Sequence, residues 1–362
     1  MQGKSLLNYQ LYIHPKDIID LKKDIWNDEP VPGMLTVNKK KYDIDVVYRG
    51  SHIRKFQKKS YFISFYKPKS YCGSKEIHLN AEYKDPSLIR NKLSLDFFSE
   101  IGVLAPQSRH IFLELNGRKE GVYLELESVD EKFLSKRNLP NGPIFYAVDG
   151  DANFSLLSDL DKETKKSLEL GYERKLGEEQ DDFYLHEMIF KINTLLNLEF
   201  EKEIIYYMDV GKYLRWLTGV VLTQNYDGFV HNYALYRNGD TGLFEIIPWD
   251  YDATWGRDVN GKEMDAEYVR IEGFNTLTAR LLNIDSFRKM YKNILLQTLD
   301  NQFSVDFIKP RVENLFSLIQ PGVEKDPYKK ESLEKMQKEP ELIYRFIQSR
   351  REHIQENLYK LD

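Results

Sequence analysis

Only one cysteine, Cys72, occurs in the 362 residues. No intrachain disulfide can therefore form, and a cysteine-based metal site has no ligand set. Excess charge is also missing, with 52 Lys and Arg against 57 Asp and Glu and a formal net charge of -5. That balance provides no bulk basic field, so neither nucleic acid nor membrane is an expected partner, whereas a mildly acidic surface tolerates a basic polypeptide. No apolar run approaches the length that spans a bilayer, and Met1-Gln2-Gly3-Lys4-Ser5 lacks the apolar core of a signal peptide. The chain is expected to begin life in a reducing cytoplasm. Three signatures are absent as well: a G-x-G-x-x-G loop, a P-loop and a G-x-S-x-G elbow. Nucleotide binding through a glycine-rich cradle and acyl transfer at a nucleophile elbow are thereby excluded in their usual forms.

What is present is ordinary for a globular protein, with 41% hydrophobic and 30% charged residues. The length exceeds what one core usually serves, so two domains are expected, at residues 1–128 and 129–362. Residues 11–26 read as a strand and then a helix, with Ile18, Leu21, Ile25 and Trp26 at helical spacing. Residues 34–37 and 42–48 alternate as strands across Asn38-Lys39-Lys40-Lys41. A basic loop over 49–56 holds Gly50, and a third strand over 59–65 puts Tyr61, Ile63 and Phe65 on one face. Asp85-Pro86-Ser87 predicts a helix start, with Pro86 in the first turn and Gly102 as the stop. Residues 111–115 and 121–127 predict a hairpin around Asn116-Gly117. The second half predicts a helix over 210–223 capped by Asp209, a polar loop, a hairpin across Asn238-Gly239, and helices over 277–282 and 287–299. The acidic run Glu178-Glu179-Gln180-Asp181-Asp182 reads as a solvated loop. This order of elements is that of a protein kinase. The expected fold is α+β and two-lobed, a small antiparallel-sheet lobe with one helix followed by a larger, mostly helical lobe.

The chemistry lies in residues 225–256. Asp227 precedes Asn232 by five positions, and Asp250 follows a predicted hairpin. A phosphoryl-transfer enzyme needs a carboxylate to orient the attacking hydroxyl, plus an amide and a carboxylate to hold magnesium, and a kinase spaces them in this way. Asp227 is thus the candidate catalytic residue, with Asn232 and Asp250 the candidate metal ligands. Arg49 in the basic loop, and Lys58 or Lys59 opening the third strand, are candidates for the ATP phosphates; strand alternation allows only one of the lysines to reach them. Asp96 and Glu100 are both candidates for the acidic partner of that lysine. Glu127 falls where a kinase hinge meets adenine through the backbone. No second histidine lies at ligand spacing to His231, which reads as a supporting or structural residue.

At these residues the sequence resembles the CotH family of spore coat kinases. The matching pieces are Y-R-G-S-H-I-R-K-F-Q-K-K-S-Y (48–61), D-P-S-L-I-R-N-K-L (85–93), N-G-R-K-E-G-V-Y-L-E-L-E (116–127), N-Y-D-G-F-V-H-N-Y-A-L-Y (225–236) and I-P-W-D-Y-D-A-T-W-G (247–256). The resemblance implies an atypical protein kinase that uses ATP and Mg2+ or Mn2+ to phosphorylate serines in other spore coat proteins, the substrates expected being Ser-rich and basic. It implies Asp227 as catalytic residue and Asp250 as metal ligand, joined by Asn232. It also implies synthesis in the mother-cell cytoplasm and residence in the inner spore coat. A monomer is expected. Departures are Asn225-Tyr226 where a kinase has His-Arg, Asp250-Tyr251-Asp252 where it has Asp-Phe-Gly, and Gln57 where the family pattern has Pro. Two other readings fit the residues: a catalytically silent pseudokinase scaffold organising coat proteins, and a phosphohydrolase using Asp227, Asp250 and Asp252 around two ions.

Overall fold

In the computed structural model, which describes residues 5–66, 70–330 and 333–362, the first seven strands close a barrel. Met1 to Lys4, which begin the N-terminal stretch without an apolar core, and the His52 side chain lie outside the described residues. The strands are β1 (Leu7–Ile13), β2 (Val31–Val37), β3 (Lys40–Tyr48), β4 (Tyr61–Phe65), β5 (Glu76–Asn80), β6 (Ser108–Leu115) and β7 (Arg118–Glu127), with helix α1 (Pro15–Lys23) after β1. Their order around the barrel is β1-β2-β3-β4-β5-β7-β6. Every neighbouring pair is antiparallel except β1 and β6, which close the barrel in parallel. The expected small antiparallel sheet is therefore a closed barrel with one parallel pair. Closure follows from alternation, since Tyr9, Leu11 and Ile13 of β1 all point inward beside Leu35, Ile44, Ile63, Leu79, Ile111 and Tyr123. The Asn116-Gly117 turn forms as expected, both residues having positive φ (50° and 76°), and the Asn116 side chain bonds the Ile13 backbone through N–H and C=O alike.

The helix expected from Asp85 begins later, as α2 (Arg90–Glu100). The Asp85 carboxylate accepts the backbone N–H groups of Ser87 (2.8 Å) and Arg90 (3.0 Å) and pairs with the Arg90 guanidinium at 2.6 Å, while Leu88 takes φ 61°. This hydrogen-bonded loop competes with a first helical turn and replaces it.

The rest of the chain contributes α3 (Glu131–Lys136), β8 (Ile144–Ala147), β9 (Tyr172–Leu176), α4 (Asp182–Thr194), α5 (Asn197–Glu203), α6 (Val210–Thr223), β10 (Tyr233–Arg237), β11 (Phe244–Pro248), α7 (Thr276–Leu282), α8 (Asp285–Asn301), α9 (Val305–Val323) and α10 (Leu333–Asn357). A second sheet runs β11-β10-β8-β9, antiparallel throughout. Two compact units result: Met1–Lys92 with Gln107–Ser128 and Lys309–Glu341, and Leu93–Pro106 with Val129–Ile308 and Leu342–Asp362. One segment of the barrel unit ends at Ser128, while that unit also takes in the segment 309–341 and leaves most of α2 to the other unit. Buried ion pairs explain the recruitment: Lys58 to Asp326 at 2.8 Å and Arg90 to Glu339 at 2.7 Å, with all four side chains 0% exposed.

His110 on β6 yields a pH prediction. Its buried Nε2–H donates to the Leu88 carbonyl (2.7 Å), and burial pushes the imidazole pKa down to about 4. The unfolded chain therefore binds a proton near pH 6.5 that the folded chain refuses until about pH 4, so stability is full above 6.5 and falls between those values. The expected loss is about 3 kcal/mol by pH 4. Thermal unfolding against pH should show that slope in the wild type and a flatter one in His110→Gln; equal slopes would refute the assignment.

Candidate active site

Residues 225–256 all lie in the unit that contains α6. The helix begins at an Asp209 cap, whose carboxylate accepts from the Lys212 amide at 3.0 Å, and buries Leu214, Leu217, Val220 and Val221 against α8 and β11. It ends where Gln224 turns left-handed (φ 59°), with its side chain held by the Asp265 carbonyl (3.0 Å) and the Val269 amide (2.8 Å). The chain leaves the helix in a fixed direction.

Asn225 follows, buried, and spans the loop. Its Oδ1 accepts from the Gly228 amide (3.2 Å) and its Nδ2 donates to the Asp250 carbonyl (3.3 Å). The segment Asp227–Phe229 makes a single 3-10 turn whose first carbonyl accepts the amides of Val230 (3.2 Å) and His231 (2.9 Å). Phe229 anchors the turn against Trp216. The Asp227 carboxylate is half-buried and has no hydrogen-bond or ion-pair partner among the described residues. Asn232 then takes φ 59°, and its Nδ2 donates to the same Asp250 carbonyl at 3.3 Å. Its Oδ1 accepts nothing from the described residues. Asp250 itself has φ 57°, directly after β11, where the Trp249 amide bonds the Asn232 carbonyl at 2.9 Å. Two non-glycine residues in the left-handed region, facing each other across one hydrogen bond, are a costly arrangement that persists only where the surroundings over-determine it.

Those surroundings are dense. Tyr251 is fully buried against Phe98, and a Cβ on Gly228 would come within 3.0 Å of its hydroxyl. Thr254 bonds the Tyr251 carbonyl at 2.8 Å, and the Trp255 amide bonds the Thr223 carbonyl at 3.0 Å. Tyr251 thus anchors in the core the segment that carries Asp250. The structure brings Asn232 and Asp250 together, adds Asn225 at the same carbonyl, and carries Asp227 on the turn between Asn225 and Asn232. His231 is half-buried, and its Nδ1 has no hydrogen-bond partner among the described residues.

Among the described residues no three His, Cys, Asp or Glu side chains gather to hold a metal ion. The donors available at this loop are oxygens, from the Asp250 carboxylate and the Asn232 amide. Magnesium fits such a partial set, because it takes one or two protein ligands and fills the remaining positions with water and phosphate oxygens.

The candidates in the barrel unit are placed as follows. Arg49, at the end of β3, directs its guanidinium to the Asn80 side chain. The basic loop after it is a 3-10 turn, His52–Lys55, braced by Arg54, which donates to the Gly50 carbonyl and pairs with Asp28, both at 2.6 Å. Gly50 has φ 88°, and a Cβ there would lie 2.4 Å from the Ile53 side chain. Lys58 is enclosed: its Nζ donates to the Val122 carbonyl (2.6 Å) and to Asp326 (2.8 Å), and lies over the Tyr123 ring. Burial pushes its pKa down, against the pull of Asp326. Lys59 is half-buried, donates to the Arg54 carbonyl and lies over Tyr48. The carboxylate that pairs with Lys58 is Asp326, 268 residues further on. Glu127 binds Gln107 twice, its amide donating to that carbonyl (2.9 Å) and its carboxylate accepting that amide (3.0 Å).

A Lys–acid pair, a loop that presents Asp, Asn and Asp, and a mixed α+β fold describe a kinase-type protein, and comparison with known proteins places it. The family model described as CotH kinase protein matches residues 46–354. The chain is 61% identical, over 97% of both chains, to the inner spore coat protein H of Bacillus subtilis (strain 168). It is 29% identical to the inner spore coat protein H-like protein of the same organism, over 84% of this chain and 87% of that one. Among solved structures, the Helicobacter pylori proinflammatory kinase CtkA superposes with a TM-score of 0.32 at 10% identity, covering 92% of each chain, a likeness too distant to carry an argument. The chain belongs to the CotH kinase family. No described helix is long and apolar enough to cross a membrane.

Proposed function

We propose that the protein transfers the γ-phosphoryl group of ATP to serine hydroxyls of other spore coat proteins, with Mg2+ or Mn2+ bound, and that it resides in the inner spore coat. The observation that carries this reading is the Asp250 carbonyl clasped by Asn225 and Asn232. That clasp fixes the strained backbone from which the Asn232 and Asp250 oxygens project. In this reading Asp227 accepts the hydrogen bond of the attacking serine and takes its proton. Asn232 and Asp250 hold the metal, which when bound neutralises charge on the phosphates. Arg49, with Lys58 in its pair with Asp326 or with Lys59, meets the phosphates, and the backbone at Glu127 meets adenine. Support for the place comes from the relative at 61% identity, whose name puts that protein in the inner spore coat. The two-ion phosphohydrolase is less well supported, because Asp227, Asp250 and Asp252 do not gather as a three-carboxylate site.

The test incubates the purified chain with γ-labelled ATP, Mg2+ or Mn2+ and a Ser-rich basic peptide. Label on serine is the expected result. Label released only as phosphate would favour hydrolysis, and neither would favour the pseudokinase scaffold. Asp250→Ala removes one of two metal ligands, so Mn2+ titration in the presence of a non-hydrolysable ATP analogue should give at least about tenfold weaker binding than in wild type. Unchanged Mn2+ affinity would remove Asp250 from the metal site.

A further inference from the structure

The acidic run at 178–182, expected to be a solvated loop, is exposed over Glu178, Glu179 and Gln180 and forms a 3-10 turn, Glu179–Asp181, that leads directly into α4. From Glu178 to Tyr206 the chain sets eight carboxylates against two lysines, a balance of -6 where the whole chain carries -5. The same stretch exposes large apolar side chains: Phe183 at 61%, Phe190 at 53%, and also Leu196, Leu198, Ile205 and Tyr206. On α4, Phe183, Glu187, Phe190 and Thr194 recur at four, three and four positions, so they share one face. The opposite face is the buried one, with Leu185, Met188, Ile189 and Ile192. Two contacts hold α5 and the 3-10 turn after it, Ile204–Tyr206, beside α4: the Tyr207 hydroxyl donates to Glu187 (2.9 Å), and Lys191 pairs with Glu203 (3.5 Å). Single exposed leucines are ordinary, whereas aromatic and aliphatic side chains gathered within an acidic surround mark an interaction surface.

We propose that this face of α4 and α5 is a docking surface for a basic polypeptide whose cations are interspersed with apolar or aromatic side chains. Charge selects that occupant. Arg174, paired with Asp182, and Arg280, bonded to Leu195 and Asn197, lower the acidic excess without cancelling it, so a second copy would set like charge against like and an anionic bilayer would be repelled in the same way. The carboxylates steer a cationic chain toward the face, and burial of its apolar residues against Phe183 and Phe190 retains it. The inference deepens the protein-kinase reading and rests on it for one point, that the occupant is a substrate; binding itself needs no catalysis.

The experiment measures binding of the full chain by fluorescence anisotropy to three synthetic peptides: Lys, Ser and Phe; Lys and Ser only; and Glu, Ser and Phe. The first is expected to bind with Kd of about 10–100 µM and to weaken as salt rises. The other two should bind at least about tenfold more weakly. Phe183→Ser with Phe190→Ser should cost the first peptide about tenfold while leaving the unfolding temperature unchanged, because both rings are exposed. Asp227→Ala should bind it like wild type, which separates failure of docking from failure of catalysis. Equal binding by the double variant would overturn the proposal, as would equal affinity for the acidic peptide. A wild-type dimer that the double variant converts to monomer would overturn it too, by assigning the face to a second copy.

Discussion

Asp227→Ala is expected to lower phosphoryl transfer to serine by about 10³-fold while leaving the fold intact. A positioned general base contributes about 10²–10⁴-fold, so the middle of that range corresponds to about 4 kcal/mol of barrier. The structural reason to expect a catalytic and not a stabilising effect is the state of the carboxylate. It is half-buried at the start of a 3-10 turn held by backbone bonds from Val230 and His231, and its own oxygens stabilise nothing among the described residues. Removing them therefore breaks no interaction of the fold, and the unfolding temperature should move by no more than a surface substitution would move it. Asp227→Asn keeps the shape and loses the base, so it should fall nearly as far. Single-turnover label transfer from ATP to a Ser-rich peptide, read beside thermal unfolding, checks both halves. Transfer equal to wild type in Asp227→Ala would sink the catalytic assignment, and a large loss of stability would show that the carboxylate has a structural partner.

How much of this was legible in the sequence depended on sequence separation. The loop from Asn225 to Asp250 was readable because its parts are local: a capped amphipathic helix, a short polar turn, and a hairpin that returns the chain to the same place. The hairpin itself forms, although the Asn238-Gly239 turn is a longer loop in which Asn238 and Leu243 are bonded at 2.9 Å. Asn225 carried no signal of its own, since a buried asparagine that bonds a carbonyl 25 residues away resembles any loop asparagine. The barrel was half legible. The sequence marked six of its seven strands, but β5 (Glu76–Asn80) is short and β1 pairs with β6 across a hundred residues, and neither fact leaves a local pattern. The strands β8 and β9 were missed because four or five residues are too few to show a period. The acidic partner of Lys58 was sought on the helix after the third strand, where a kinase has it. No reading of nearby residues points to Asp326, because its place is set by tertiary packing of the segment 309–341 on the barrel.

That packing gives the largest expected stability change. Lys58 and Asp326 are both 0% exposed, and the Asp326 carboxylate also accepts the Val122 amide at 3.0 Å. It fits there only because residue 121 is glycine: at φ 94°, a Cβ would stand 2.0 Å from the carboxylate oxygen. Asp326→Ala leaves an ammonium group buried without its counter-charge, for which the expected cost is about 3–5 kcal/mol, a large share of the stability of a typical domain. Chemical denaturation measures it. The alternative origin of such a loss, a cavity where the carboxylate was, is separated by pH. Without Asp326, burial holds the folded pKa of Lys58 further below the unfolded value of 10.5. Between the two values the unfolded chain binds more protons, so stability rises with pH, and the deficit of the variant should shrink as pH is raised from 7 to 10. A cavity would show no such slope. Replacing both partners, as Lys58→Met with Asp326→Leu, removes the unpaired charge and should recover most of the loss. A deficit of Asp326→Ala below about 1 kcal/mol, or one independent of pH, would mean that the pair does not hold the C-terminal segment to the barrel.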